Sequence, residues 1–256
     1  MPTIPTEPIG SIPRPEYLIR AQEDFAAGRI GESELEALTD VATRDTIREL
    51  EATGSPVISD GEQRKYHNFA TYAVDGLPNL VNDGFRLQFT DHDRIWPRLL
   101  AGPFRYRRTA DGFLALARRH ARMPVKQAVI SPSAVSLFYP AEPLPDYPRE
   151  RFIEDLLDEH EREVRACLAQ GAHCVQIDFT EGRLACRLDP TGLLLRGWVT
   201  LNNLALRRFG LAPGEAIFID DRAENVAAAQ ANGFVGHHFA SAGVLAAELV
   251  RLGLLS

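Results

Sequence analysis

The sequence predicts an α/β fold in which parallel strands are joined by covering helices. Short runs rich in β-branched and aromatic residues alternate with helix-period segments along almost the whole chain. The 256 residues, 45% of them apolar, suffice for a sizeable core, arranged as one α/β barrel or as two small domains. In chain order the candidate strands are residues 7–11, 57–61, 86–90, 125–131, 174–180, 216–220 and 235–239. Between Arg149 and Ala169, apolar Ile153, Leu156, Leu157, Val164, Cys167 and Leu168 recur at three- and four-residue steps, so this segment is a helix with one stripe against a sheet. Residues 35–50, 225–232 and 244–252 read as further helices, and the Pro- and Gly-containing stretches 76–84 and 139–148 as surface loops. Neither an internal repeat nor a low-complexity tract interrupts this pattern.

A formal net charge of −7 gives no electrostatic footprint for a phosphate backbone, so a small molecule is the expected partner rather than a nucleic acid. Cys167, Cys174 and Cys186 are odd in number and lack CxxC spacing, which argues against a disulfide framework and fits a reducing compartment. The opening residues lack a signal-peptide pattern and no run approaches the roughly 20 apolar residues of a membrane helix. A cytoplasmic protein without a membrane partner is therefore expected.

Three short motifs carry a likeness to a known family. Thr6-Glu7-Pro8-Ile9-Gly10-Ser11, followed by Pro13, places a glycine where the main chain can approach a ligand closely and flanking N–H groups can hold a carboxylate. Ser59-Asp60-Gly61-Glu62 puts a carboxylate at a predicted strand end; the alternative is an exposed loop glutamate. In Val175-Gln176-Ile177-Asp178, strand alternation sets Cys174, Gln176 and Asp178 on one face and His173, Val175 and Ile177 on the other. Together these motifs resemble the catalytic barrel of cobalamin-independent methionine synthases over residues 1–208.

The resemblance implies a parallel (βα) barrel of the TIM type. It also implies methyl transfer to a thiol such as homocysteine, with Ile9, Gly10 and Ser11 at the substrate carboxylate and Glu62 and Asp178 at its ammonium. Two carboxylates without a nearby paired cation suit an ammonium. Residues 63–76, including Tyr66, His67 and Phe69, match a branch of the family as a block. The run from Pro124 to Pro132 resembles the family strand leading to a loop that lies near the folate or other methyl donor. Phe138 and Tyr139 beside it suit either stacking on such a ring or packing against the barrel.

Phe179-Thr180-Glu181-Gly182-Arg183 follows Asp178 where the family commonly has Glu-Pro. Glu181 either replaces that glutamate or forms a loop salt bridge with Arg183 or Arg187. The family activates its thiol on zinc held by a His-x-Cys pair, a glutamate and a distant cysteine, and His-x-Cys occurs nowhere in this sequence. His173 and Cys174 point to opposite faces, and Cys174 lies roughly 13 Å below Asp178 along a strand. Cys167 belongs to the helix stripe, Cys186 to a loop, and His237-His238 to a strand end.

Residues 209–256 carry a different signature. Ala216-Ile217-Phe218-Ile219-Asp220-Asp221, followed by an Ala-rich helix, resembles the C-terminal segment of haloacid-dehalogenase-type hydrolases. That resemblance makes Asp220 and Asp221 candidate magnesium ligands. A generic βα unit explains the same residues, with Asp221 and Glu224 as a helix capping box. An Asp-x-Asp-x-Thr nucleophile motif is missing upstream, so phosphohydrolase activity ranks last. The expected architecture is thus an incomplete or irregular barrel of about seven strands, where eight close such a fold, its last βα units being of different origin. Either the foreign strands cover the exposed edge or the protein self-associates.

Overall fold

A computed structural model describes residues 7–65, 71–88, 93–179, 181–211, 215, 217–231 and 233–255. The chain divides into two compact units, residues 7–202 and residues 203–256. Among the described residues no helix is long and apolar enough to cross a membrane.

The first unit opens with a helical hairpin. In α1, Glu16–Ala26, and α2, Glu32–Ala52, the apolar residues Leu18, Ala21, Leu35 and Ala42 close into one buried cluster. A turn further along α2, Ile47 enters a second cluster with Ile58, Leu114, Ala117 and Val125, so this helix ties the hairpin to the sheet. Thr39 and Thr43 sit buried on α2 because their hydroxyls donate to the carbonyls of Leu35 and Thr39, at 2.7 and 2.9 Å.

Two small antiparallel pairs follow: β1, Leu80–Val81, with β4, Arg98–Leu99, and β2, Arg86–Gln88, with β3, Asp93–Ile95. Next come α3, Asp111–Ala117, and β5, Gln127–Ile130. A short helix α4, Pro132–Val135, and a 3-10 turn, Ser136–Phe138, lead to the long α5, Arg149–Ala169. Then β6, Val175–Asp178, pairs in parallel with β5, Gln127 opposite Val175 and Ile130 opposite Asp178. On the other side of β5 a parallel bridge joins Ile58 to Val125. All four β5 residues are buried, as expected of a central parallel strand. The polypeptide therefore leaves the Ile58 segment, β5 and β6 in one direction, and their carboxyl ends lie side by side.

α5 packs Phe152, Leu156, Leu157, Val164 and Cys167 inward, together with buried Asp155, Glu159, His160 and Glu163. Glu163 ties three segments together, because its Oε1 accepts from the Tyr72 hydroxyl at 2.7 Å and from the Ala110 N–H, at the N-terminus of α3, at 2.9 Å. Burial pushes its carboxyl up to about 7. Short α6, Gly182–Leu188, completes the unit, and α7, Leu193–Arg207, contains the break between the two units.

In the second unit β7, Ile217–Asp220, pairs in parallel with β8, Val235–His238, across α8, Ala223–Ala231, and α9, Ala242–Arg251, follows.

One strand expectation fails and one is borne out in part. Among the described residues, 7–11 join no ladder and are held by side chains of neighbouring segments. Residues 86–88 form an antiparallel pair with 93–95 rather than a barrel strand, because the chain doubles back too soon for a parallel crossover; residues 89 and 90 lie outside the described residues. The 57–61 strand shortens to its single bridge at Ile58. Among the described residues the ladders are two-stranded and no closed barrel forms.

Candidate functional site

Three segments meet at the carboxyl ends of the parallel strands. The turn after Ser59 is tight: Gly61 has φ +64° and Glu62 φ +56°, two successive left-handed residues. A Cβ on Gly61 would lie 2.6 Å from Thr46 Cγ2 and 2.9 Å from Ile12 Cγ1, so glycine is required there. Glu62 carries a side chain in a conformation that disfavours one, which is a strain characteristic of functional sites. The turn is fastened by Asp60 Oδ1, which accepts the Glu62 N–H at 2.9 Å, and by Arg14, whose Nη2 donates to the carbonyls of Glu62 and Lys65 at 2.9 and 2.8 Å.

The 9–12 segment lies against this turn. Ile12 N–H donates to the Gly61 carbonyl at 3.2 Å, and the Ser59 hydroxyl to the Gly10 carbonyl at 3.1 Å. Gly10, at φ +153°, has a backbone that side chains rarely adopt, and a Cβ there would stand 2.8 Å from Glu62 Oε1 and displace that carboxylate. From β6, Gln176 Nε2 donates to the Ile9 carbonyl at 2.8 Å and to Asp178 Oδ1 at 2.6 Å. Ile9, Gly10, Glu62 and Asp178 are therefore brought together. Ser11 is exposed beside them, and the Ile9 side chain points to solvent at 82% exposure.

Glu62 is 6% exposed, which removes the reading of an exposed loop glutamate. Burial raises its carboxyl above the ordinary range; Lys65 opposes the rise, Asp60 and Asp178 add to it, and Arg14 opposes it. Asp178 is also raised by burial, against the Gln176 hydrogen bond and the charges of Lys65 and Lys126. The expectation of a carboxylate pair without a nearby cation is thus corrected: Lys65, anchored by a 2.6 Å hydrogen bond to the Ala128 carbonyl, acts on both. Nothing in the local pattern around Lys65 announced this, since the lysine reaches its place only through the Gly61-Glu62 turn.

Glu181, buried like Glu62, takes its donors from the start of α4: the capping Ser131 Oγ at 2.6 Å and Ser133 Oγ both reach Oε1. The side chains of Arg183 and Arg187, the alternative partners, lie outside the described residues, as do Tyr66, His67 and Phe69. Phe138 and Tyr139 are core residues rather than a platform for a methyl donor. Phe138 packs on Trp96 and Phe104, and Tyr139 on Phe152 at 5.3 Å between ring centroids.

The metal expectations can be tested on donor chemistry. Cys167 is sealed in the core, its thiol pushed up to about 12 by burial, and half-buried Cys174 is raised likewise. Among the described residues no group of three or more His, Cys, Asp or Glu is arranged to hold a metal ion, so these donors do not fit the zinc site that the resemblance implies. The side chain of Cys186 lies outside the described residues. In the second unit Asp220 Oδ1 accepts the Arg222 N–H at 2.7 Å, a turn bond at the start of α8, and His238 Nε2 approaches the Asp221 carbonyl at 2.9 Å.

The chain is similar to methionine synthases in both sequence and fold. It is 25% identical over 188 residues to the methionine synthase of Pyrococcus furiosus, covering 70% of this chain and 52% of that protein. It is 37% identical over 65 residues to the methionine synthase of Sulfurisphaera tokodaii, covering 25% of this chain and 19% of that one. A vitamin-B12-independent methionine synthase from Listeria monocytogenes superposes with a TM-score of 0.60 at 21% identity, over 85% of this chain and 65% of that one. A B12-independent methionine synthase from Shewanella sp. W3-18-1, solved in complex with selenomethionine, gives 0.61 at 18% identity, over 80% and 57%. The fold is shared. No protein-family model matches the chain. This chain spans about half the length of the Pyrococcus relative.

Proposed function

We propose that the junction of the 9–12 segment, the Gly61-Glu62 turn and the end of β6 binds a homocysteine-like amino acid, and that the chain is a methyltransferase homologue of the methionine synthase kind. The observation that carries this reading is the convergence of the buried Glu62 carboxylate and Asp178 beside the Gly10 peptide. Charges held partly out of water interact more strongly with an ammonium than exposed ones do. In this reading Glu62 and Asp178 take the ligand ammonium, and the main chain of Ile9, Gly10 and Ser11 takes its carboxylate. The selenomethionine held by the Shewanella protein carries the same two groups.

Methyl transfer to a thiol requires the thiolate. The described donors do not fit zinc, so the activity that the residues support is recognition of the amino acid, with no thiol-activating step assigned to them. A non-catalytic binding protein of this fold is the second reading, favoured by the placement of Cys167 in the core. For residues 209–256 we retain a haloacid-dehalogenase-like origin, supported by the parallel β7–α8–β8 unit that ends β7 on Asp220. Magnesium at Asp220 and Asp221 would have to compete with the Arg222 N–H.

The test is calorimetric titration of L-homocysteine into the intact chain and into Glu62→Gln and Asp178→Asn, with zinc per chain measured by mass spectrometry. Binding that both substitutions abolish supports the site, and an intact chain that does not bind overturns it. Stoichiometric zinc with methyl transfer decides for the enzyme; binding without either decides for the second reading.

A further inference from the structure

One amide links the two halves of this site. Gln176 Nε2 has two hydrogens, and the structure engages both: one donates to the Ile9 carbonyl at 2.8 Å and the other to Asp178 Oδ1 at 2.6 Å. The first bond joins residues 167 positions apart and fixes the peptide that precedes Gly10. The second occupies one oxygen of the carboxylate two residues along the same face of β6. The same nitrogen lies 4.0 Å from where a Gly10 Cβ would stand, so the amide, the Gly10 peptide and Glu62 Oε1 form one contiguous wall.

We propose that Gln176 is the positioning residue of the amino-acid site, bridging the Ile9-Gly10 main chain to Asp178 so that the carboxylate-binding and ammonium-binding halves hold a fixed separation. The inference rests on the amino-acid reading of the site. It assigns to Gln176 no contact with the ligand. With Oδ1 engaged, Asp178 offers Oδ2 to the ammonium; with the Ile9 carbonyl engaged, the main chain of the turn cannot swing away from β6. A ligand with an ammonium and a carboxylate on the same carbon needs both halves at one spacing, and preorganisation of that spacing spares the entropy of ordering them on binding.

The bridge also bears on ionisation. Asp178 faces Lys65 and Lys126, which favour its charge, and Glu62 and Glu181, which oppose it; Glu7 is paired with Lys126 at 3.2 Å, and Arg14 and Asp60 act on Glu62 behind it. The hydrogen bond from Gln176 adds to the cations. Removing it therefore moves the Asp178 titration to higher pH.

The experiment pairs L-homocysteine calorimetry between pH 5 and 9 with carbon-13 NMR titration of the aspartate carboxyls, the Asp178 signal being assigned from Asp178→Asn. Gln176→Leu removes both donors. Gln176→Met keeps the length of the side chain, supplies no donor and adds no charge, and serves if the leucine variant does not fold. The expected result is about tenfold weaker binding, the size of one hydrogen bond to a charged group. The binding midpoint and the Asp178 titration should both move to higher pH. Binding unchanged from the intact chain, or weakened without any movement of the Asp178 titration, overturns the positioning role and leaves the amino-acid site standing. An intact chain that binds no L-homocysteine overturns the site, and this inference with it.

Discussion

Replacing Glu163 by glutamine removes one ionisable carboxyl from the interior of the first unit while keeping the oxygen that accepts from Tyr72 and Ala110. The folded protein holds this carboxyl at about 7, above its ordinary 4.5, because burial penalises the charge. The sign follows from proton binding: between these values the folded state holds the proton more tightly than the unfolded chain, so stability falls as pH rises through the window. Below 4.5 the penalty vanishes, and above 7 it is complete. An interval from 4.5 to about 7, at about 1.4 kcal/mol per pH unit, amounts to about 3 kcal/mol. Urea unfolding of both proteins at intervals from about pH 4.5 to about pH 8 should show the wild type losing that amount relative to Glu163→Gln. Glu62, Asp178 and Glu181, also raised by burial, remain in both proteins and cancel in the difference. Parallel pH profiles for the two proteins would refute the reasoning.

Three further outcomes are expected. Gly10→Ala places a Cβ 2.8 Å from Glu62 Oε1 and should weaken L-homocysteine binding about tenfold or more by calorimetry; unaltered binding would mean that this carboxylate has no part in it. Glu62→Gly relieves the left-handed backbone at φ +56° and should be more stable to urea than Glu62→Ala by about 1 kcal/mol, both variants losing the ligand. Lys65→Met removes a charge that favours ionisation of Glu62 and Asp178, so the pH at which L-homocysteine binding reaches half its maximum should rise; a fall would contradict the assigned electrostatics.

Much of the parallel framework was legible in local pattern. β5, β6, β7 and β8 lie inside the apolar runs that announced them, and α5 spans the helix that its three- and four-residue spacing requires. The stripe itself shifts: Phe152 is sealed while Leu168 is about half exposed, and Asp155, Glu159, His160 and Glu163 share the buried face. Apolar periodicity is blind to Asp155, Glu159 and Glu163, which are buried because Tyr147, Tyr106 and Tyr72 supply their partners, and to His160, whose ring nitrogens have no hydrogen-bond partner among the described residues. No helix was assigned to Leu193–Arg207, although buried Trp198, Leu201 and Ala205 recur at three and four residues there. The failed strand at 7–11 had strand-like composition, but a strand exists only where another segment pairs with it, and the strand at 86–88 found its partner in the antiparallel 93–95 segment.

By itself the sequence determined the α/β class, the order of its most apolar elements, and the residue types able to hold an amino acid: a glycine-containing turn and carboxylates at strand ends. These follow from composition and period, which act over a few residues. Only the tertiary structure decided that Gly61 and Glu62 turn left-handed beneath Thr46 and Ile12, that Lys65 acts on both carboxylates, and that Gln176 joins Ile9 to Asp178. It likewise committed Phe138 and Tyr139 to the core. Each of these depends on side chains separated by many residues in the chain, and their energies exist only once the parallel strands have brought the carboxyl ends together.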